Sequence, residues 1–151
     1  MAASTQSTQG SLDTVLSAVS LSRRLSENAA VSNISLEINR GDIVGLLGLN
    51  GAGKTTTLCM LSGVLAPDEG SVSINGHSLS DSPITARQQI GFLPDQPPLY
   101  NDMRVNEYLK LAGRIRGLKG DRLAKRQNIV TEQCMLGSVN KNLISTLSKG
   151  Y

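Results

Sequence analysis

Gly48-Leu49-Asn50-Gly51-Ala52-Gly53-Lys54-Thr55-Thr56 is the stretch on which the fold of this 151-residue chain turns. Its first eight residues satisfy G-x-x-x-x-G-K-[ST], which average residue usage delivers by chance in fewer than about one in a hundred chains of this size. Each residue type has a physical reason. Glycine carries no β-carbon, so the backbone can turn tightly and aim successive N–H groups inward as an anion-binding nest. A helix starting near Lys54 adds the positive end of its dipole. Lys54 can reach β- and γ-phosphates, the Thr55 hydroxyl is placed to ligate Mg²⁺, and Thr56 lies toward the α-phosphate. The spacing predicts a nucleotide site.

The flanks fit that expectation. Ile43–Leu47 is apolar on both faces, which predicts a buried parallel strand covered on two sides. Helical character runs from Lys54 to Val64 and ends near Gly63. A strand, a Gly-rich loop and a helix in that order are the confirming context for a phosphate cradle. Upstream, residues 14–22 and 32–38 alternate polar with apolar side chains, as half-buried strands do, and Asn39–Asp42 is a turn. Downstream, residues 71–74 form a short alternating strand closed by Asn75-Gly76, a hairpin signal. A short helix over 84–89 leads to a strand over 90–93, which Pro94 stops. Helical periodicity returns over 105–116, with Val105, Tyr108, Leu109, Ala112 and Ile115 on one face. It returns again over 122–136, with Leu123, Ile129, Val130 and Met135 or Leu136 along one side. Strands come first and helices later, with one strand–loop–helix crossover between them. The class is mixed α/β.

Composition removes several other functions. Aromatics make up 3% and Trp is absent, so the chain has no stacking platform for single-stranded nucleic acid. Cys59 and Cys134 lack partner spacing and His77 is the single histidine, which argues against a disulfide scaffold and a Cys/His zinc site. The cysteines read as small core-facing hydrophobes on helices, and His77 as exposed. No apolar run approaches the length of a spanning helix, and residues 1–11 read as a disordered tail without a leader's basic and apolar regions. A cytosolic protein is expected. Net charge is +3, but residues 1–100 carry 5 basic and 8 acidic side chains while residues 101–151 carry 10 and 4. The basic set lies mainly between Arg104 and Arg126. Such a run is commonly a solvated helical face, or else a surface for nucleic acid or an acidic partner.

VSNISLEINRGDIVGLLGLNGAGKTTTLCMLSGVLAPDEGSVSING (residues 31–76) resembles the ATP-binding domain of ABC transporters. It shares paired strands, an acidic-Gly turn before the loop strand, and the helix exit at Gly63, Pro67 and Gly70. IGFLPDQPPLYNDMRVNEYL (residues 90–109) is similar to that family's Q-loop and the start of its helical subdomain, in the manner of export-type subunits that include gliding-motility and copper-related ones. Leu147-Ser148-Lys149-Gly150-Tyr151 resembles the opening of the family signature, usually LSGGQ. The implied fold is the N-terminal part of an ABC-type P-loop NTPase, with residues 12–98 as core and 99–151 as the start of the helical subdomain.

The resemblance also implies roles. Gly48 to Thr56 would bind ATP and Mg²⁺, Lys54 contributing to catalysis. Asp95 stands where the Q-loop glutamine is expected and Gln96 follows it; Asp95 would contact the metal and Gln96 the attacking water, unless both belong to a solvated turn. Ser148 and Gly150 would reach the γ-phosphate held by a second ATP-binding subunit. Leu25 occupies the position of the ring that usually stacks on adenine, leaving only apolar contact there. The family's Asp-Glu strand and switch histidine have no counterpart, so the chain reads as truncated within its signature, with an unpaired apolar strand at Ile43–Leu47 and poor stability. The implied activity is ATP binding and hydrolysis that drive export through a membrane-spanning permease, at the inner face of the cell membrane, with no nucleic acid partner. The alternatives are a soluble ABC-type ATPase acting on ribosomes or nucleic acid, and an ATP-binding module without hydrolysis.

Overall fold

In the computed structural model, residues 13–25 and 29–148 are described, and the chain divides into two compact units after Leu93. The expected tail over residues 1–11 and Gly150 of the signature lie outside the described residues.

The first unit is built on an antiparallel sheet. Strands β1 (Thr14–Arg24), β2 (Ala29–Asn39), β3 (Glu69–Ile74) and β4 (His77–Ser78) lie in the order β2-β1-β3-β4. Period-two patterning sets the register: Leu16 faces Ile38 and Ile74, and Ala18 faces Leu36 and Val72. The alternation then breaks. Ser20 sits at φ +50° where the register of β1 shifts against both neighbours, and the extra residue turns Leu21 inward beside Ala18. Serine hydroxyls secure this irregular stretch. The Ser35 Oγ accepts from the Ser20 N–H at 2.8 Å, and the Ser22 Oγ accepts from the Asn33 N–H at 3.0 Å. Opposite the bulge stands Gly70 at φ +88°, where a β-carbon would run into the Val19 and Ser20 carbonyl oxygens.

Helix α1 (Lys54–Leu61) contributes buried Met60 and Leu61 to the core made by Ala18, Leu21, Val31, Val72 and Ile74. It is shorter than periodicity predicts. Gly63 adopts φ +73°, and the N–H groups of Val64 and Leu65 both donate to the Cys59 carbonyl, closing the helix end. Asn75 and Gly76 both have positive φ and join β3 to β4 in a two-residue turn, as the hairpin signal predicts. Helix α2 (Pro83–Arg87) starts on its proline and buries Ala86.

A clasp holds the segment after α1 onto β1. Arg23 donates to the Asp68 carboxylate at 2.5 Å and to the Ala66 carbonyl at 3.2 Å, while the Arg24 N–H donates to Asp68 at 2.9 Å. The Arg24 N–H, followed by the Arg23 guanidinium, holds the Asp68 carboxyl below its ordinary range.

Two expectations fail here. Ile43–Leu47 and Ile90–Leu93 form no strand. Ile43 is fully exposed and Leu47 is 93% exposed, so the segment is neither laddered nor covered. The physical reason is pairing: a β-strand exists through its neighbours' N–H and C=O groups, and among the described residues no parallel partner lies beside either segment.

The second unit contains α3 (Val105–Ile115) and α4 (Gly120–Gln133), with short 3₁₀ turns at Gly137–Val139 and Ile144–Thr146. Gly113 has no β-carbon, and Leu123 of α4 fills that space against α3. The expected faces hold at Val105 and Leu123, both buried, but not at Ile115 and Ile129, which are exposed; of Met135 and Leu136, Met135 is exposed and Leu136 half-buried. Ile115 ends its helix and Met135 lies beyond α4, so neither position inherits the helical face. Cys134 likewise follows α4 and is exposed, against the core-facing expectation, whereas Cys59 is half-buried.

Candidate functional site: a glycine loop on a helix start

Gly51 at φ +84° and Gly53 at φ +81° take left-handed conformations that a side chain would strain. Between them the Ala52 N–H donates to the Leu49 carbonyl at 3.2 Å, closing a tight turn. A β-carbon at Gly48 would stand 3.3 Å from the Ala52 β-carbon and 3.9 Å from the Lys54 side chain. Gly48 thus lets the backbone approach Ala52 and Lys54 closely.

Helix α1 opens directly out of this loop, with Gly53 as N-cap and no side-chain cap. The first backbone bond of the helix runs from the Thr57 N–H to the Gly53 carbonyl at 2.8 Å. The amides of Lys54, Thr55 and Thr56 therefore have no intrahelical acceptor and carry the positive end of the dipole. Lys54 is the single charged residue between Asp42 and Asp68. Its ammonium donates to the Gly48 and Leu49 carbonyl oxygens, both at 2.7 Å. One cation and a row of amides without intrahelical acceptors thus gather at this loop, whose sequence carries no carboxylate. That donor set fits a polyphosphate: oxygen anions would replace the two carbonyls on Lys54 and meet the free amides. The metal would come with the nucleotide, since Thr55 offers one neutral, exposed hydroxyl.

Thr57 is the residue the sequence reading missed. It is buried, and its hydroxyl donates to the Gly53 carbonyl at 2.9 Å, locking the helix start that the loop hangs on. Its signal was a hydroxyl four residues after the last glycine of the loop.

The structure brings together Gly48, Leu49, Asn50, Gly51, Ala52, Gly53, Lys54, Thr55 and Thr56 in one loop and helix turn. Asp95, Gln96 and Ser148 belong to the second unit. Asp95 and Gln96 are exposed in a bend after Pro94, and Ser148 is exposed at the end of the described residues. The segment leading to Ser148 is laced onto the entrance of α3. Val105 and Asn106 donate backbone bonds to Asn142 and Asn140, and Ile144 and Ser145 donate to Met103 and Asn101. The Arg104 guanidinium adds a bond to the Lys141 carbonyl. Leu25, in the expected base-stacking position, ends the stretch before the undescribed residues 26–28 and is half exposed.

Comparison with known proteins settles the family. The sequence profile described as ABC transporter matches residues 31–151. The chain belongs to that family. Its relatives are ABC transporter ATP-binding proteins. It is 44% identical over 104 residues to the uncharacterized ABC transporter ATP-binding protein YxlF of Bacillus subtilis, covering 69% of this chain and 34% of the relative. It is 35% identical over 112 residues to the ABC-type transporter ATP-binding protein EcsA of the same organism, covering 74% and 45%. A solved ATP binding subunit of an ABC transporter superposes with a TM-score of 0.74 at 32% identity, over 89% of this chain and 56% of that one. The fold is therefore that of the ABC-type P-loop ATPases. The chain spans less than half the length of these two curated relatives.

Proposed function

We propose that this chain binds ATP with Mg²⁺ in the Gly48–Thr56 loop and serves as the nucleotide-binding subunit of an ABC transporter that exports its cargo. One observation carries the nucleotide site: the Lys54 ammonium sits on the Gly48 and Leu49 carbonyls at the mouth of a helix whose first amides are unpaired. Lys54 would neutralise the β- and γ-phosphates, the Thr55 hydroxyl would complete the metal's shell, and Thr56 would hold the α-phosphate side. Asp95 and Gln96 would act on the metal and the attacking water. Ser148 and Gly150 would complete the nucleotide site of a second ATP-binding subunit. The core of the domain is assigned to residues 12–98 and its helical part to 99–151.

Export is supported by what one relative is named for. The Nod factor export ATP-binding protein I of Ralstonia nicotianae is 36% identical over 90% of this chain. In this reading, nucleotide-driven closure moves a separate membrane-spanning permease, and the chain lies peripherally on the inner face of the membrane. No helix among the described residues is long and apolar enough to cross a membrane.

Titration of Mg-ATP into the chain, read by calorimetry, tests the site. Lys54→Ala should lower affinity by about tenfold to a hundredfold, the scale of losing a charge-assisted contact. Unchanged affinity would remove the loop from the reading.

A further inference from the structure

Between Arg104 and Arg126 the chain carries eight cations and two carboxylates. One of those carboxylates, Glu107, already accepts the Arg104 N–H at 2.9 Å. Among the described residues, no cation from Lys110 to Arg126 forms an ion pair. The charge is therefore not neutralised within the second unit.

Its placement is ordered. Arg122, Lys125, Arg126 and Ile129 follow the i, i+3, i+4, i+7 spacing of one helix stripe, and all four are exposed. Ile129 is 42% exposed among these cations. The opposite stripe of α4 carries buried Leu123 and half-buried Gln127 and Val130, and it packs toward α3. At the α3–α4 turn, Ile115 is 75% exposed between Arg114 and Arg116, and Lys119 follows. Cations interleaved with outward apolar side chains match a surface that is anionic outside and apolar just beneath. A bilayer with acidic headgroups is such a surface. Duplex nucleic acid would attract the same cations but offers no apolar layer to Ile115 and Ile129.

We propose that the outer stripe of α4, with the α3–α4 turn, binds the anionic headgroups of a lipid bilayer directly. The contact is independent of the nucleotide loop and needs no permease. It places the second unit on the membrane through its own residues.

Sedimentation of the full chain with vesicles tests this, comparing phosphatidylcholine alone with phosphatidylcholine containing phosphatidylglycerol. The chain should pellet only with the acidic vesicles and be released by added sodium chloride. The combined variant Arg122→Gln, Lys125→Gln, Arg126→Gln should weaken partitioning by about a hundredfold, roughly fivefold for each cation removed. Lys125→Gln alone should show the single step, which keeps the test readable if the combined variant misfolds. Ile115→Ser should weaken vesicle binding and leave any binding to duplex DNA unchanged. Lys54→Ala should leave vesicle binding intact, separating this contact from the nucleotide site. Equal pelleting with neutral vesicles, no loss in the charge variants, or displacement by duplex DNA with Ile115→Ser silent would each overturn the proposal. Displacement by millimolar inorganic phosphate would also overturn it, by reducing the surface to a free-anion site.

Discussion

The Lys54 ammonium donates to the Gly48 carbonyl oxygen at 2.7 Å, so the one cation of the glycine loop reaches from the start of α1 back to the loop's first residue. Gly48 and Leu49 are exposed, and water can satisfy their carbonyls when the lysine is absent. Lys54→Ala should therefore change the unfolding free energy by no more than about 0.5 kcal/mol. The rise in melting temperature that Mg-ATP gives the parent chain should vanish in the variant. Thermal melts with and without nucleotide measure both.

Asp68 makes stability depend on acid. Its carboxyl titrates lower when folded, because the Arg24 N–H and the Arg23 guanidinium favour the charged form. The unfolded state then binds the proton first, so the contribution is complete above the ordinary aspartate range. It is lost as pH falls through the lower folded value. Asp68→Asn should flatten the acid limb of a stability–pH curve between those two points. An acid limb identical to that of the parent chain would contradict the assignment.

Glycine substitutions should divide by what surrounds them. At Gly70 a methyl group meets the Val19 and Ser20 carbonyl oxygens as well as an unfavourable φ of +88°. Gly70→Ala should cost about 3 kcal/mol or more and loosen the β1–β3 pairing. Gly76 has φ +78° but nothing within 4 Å, so Gly76→Ala should cost only about 1 kcal/mol. Denaturant titration of both variants gives the contrast.

The uncovered segment before the loop should govern solubility. Ile43 and Leu47 project into solvent, with Leu49 exposed after them. Apolar, uncharged and without a ladder, the segment offers itself to identical segments on other molecules. Ile43→Lys with Leu47→Lys should raise the concentration at which light scattering begins and leave the melting temperature within a degree or two, since neither side chain packs on the core.

Local signals were legible in the sequence where their cause is local. The glycine loop, the Asn75-Gly76 turn and the alternation of β1 and β2 each depend on residues a few positions apart. The Ser20 bulge was not legible, because it arises from the fit of β1 against two neighbours with Gly70 opposite. Ile43–Leu47 shows the same limit from the other side. Its composition describes a buried strand, but burial and pairing are supplied from outside the segment. At the site, the loop residues were readable from their pattern. Thr57 carried only the weak signal of a hydroxyl four residues after Gly53, and the lacing of Arg104 to Lys141 joins residues far apart in sequence, which no local spacing advertises.

The loop is anchored on one side only. Lys54 and Thr57 tie it to a packed helix, whereas among the described residues no strand ladder holds the segment entering it. A loop held from one side passes to its ligand whatever happens on the other side. Any strand that comes to lie beside this segment would tighten nucleotide binding without touching the nucleotide. By reciprocity, nucleotide would recruit that strand.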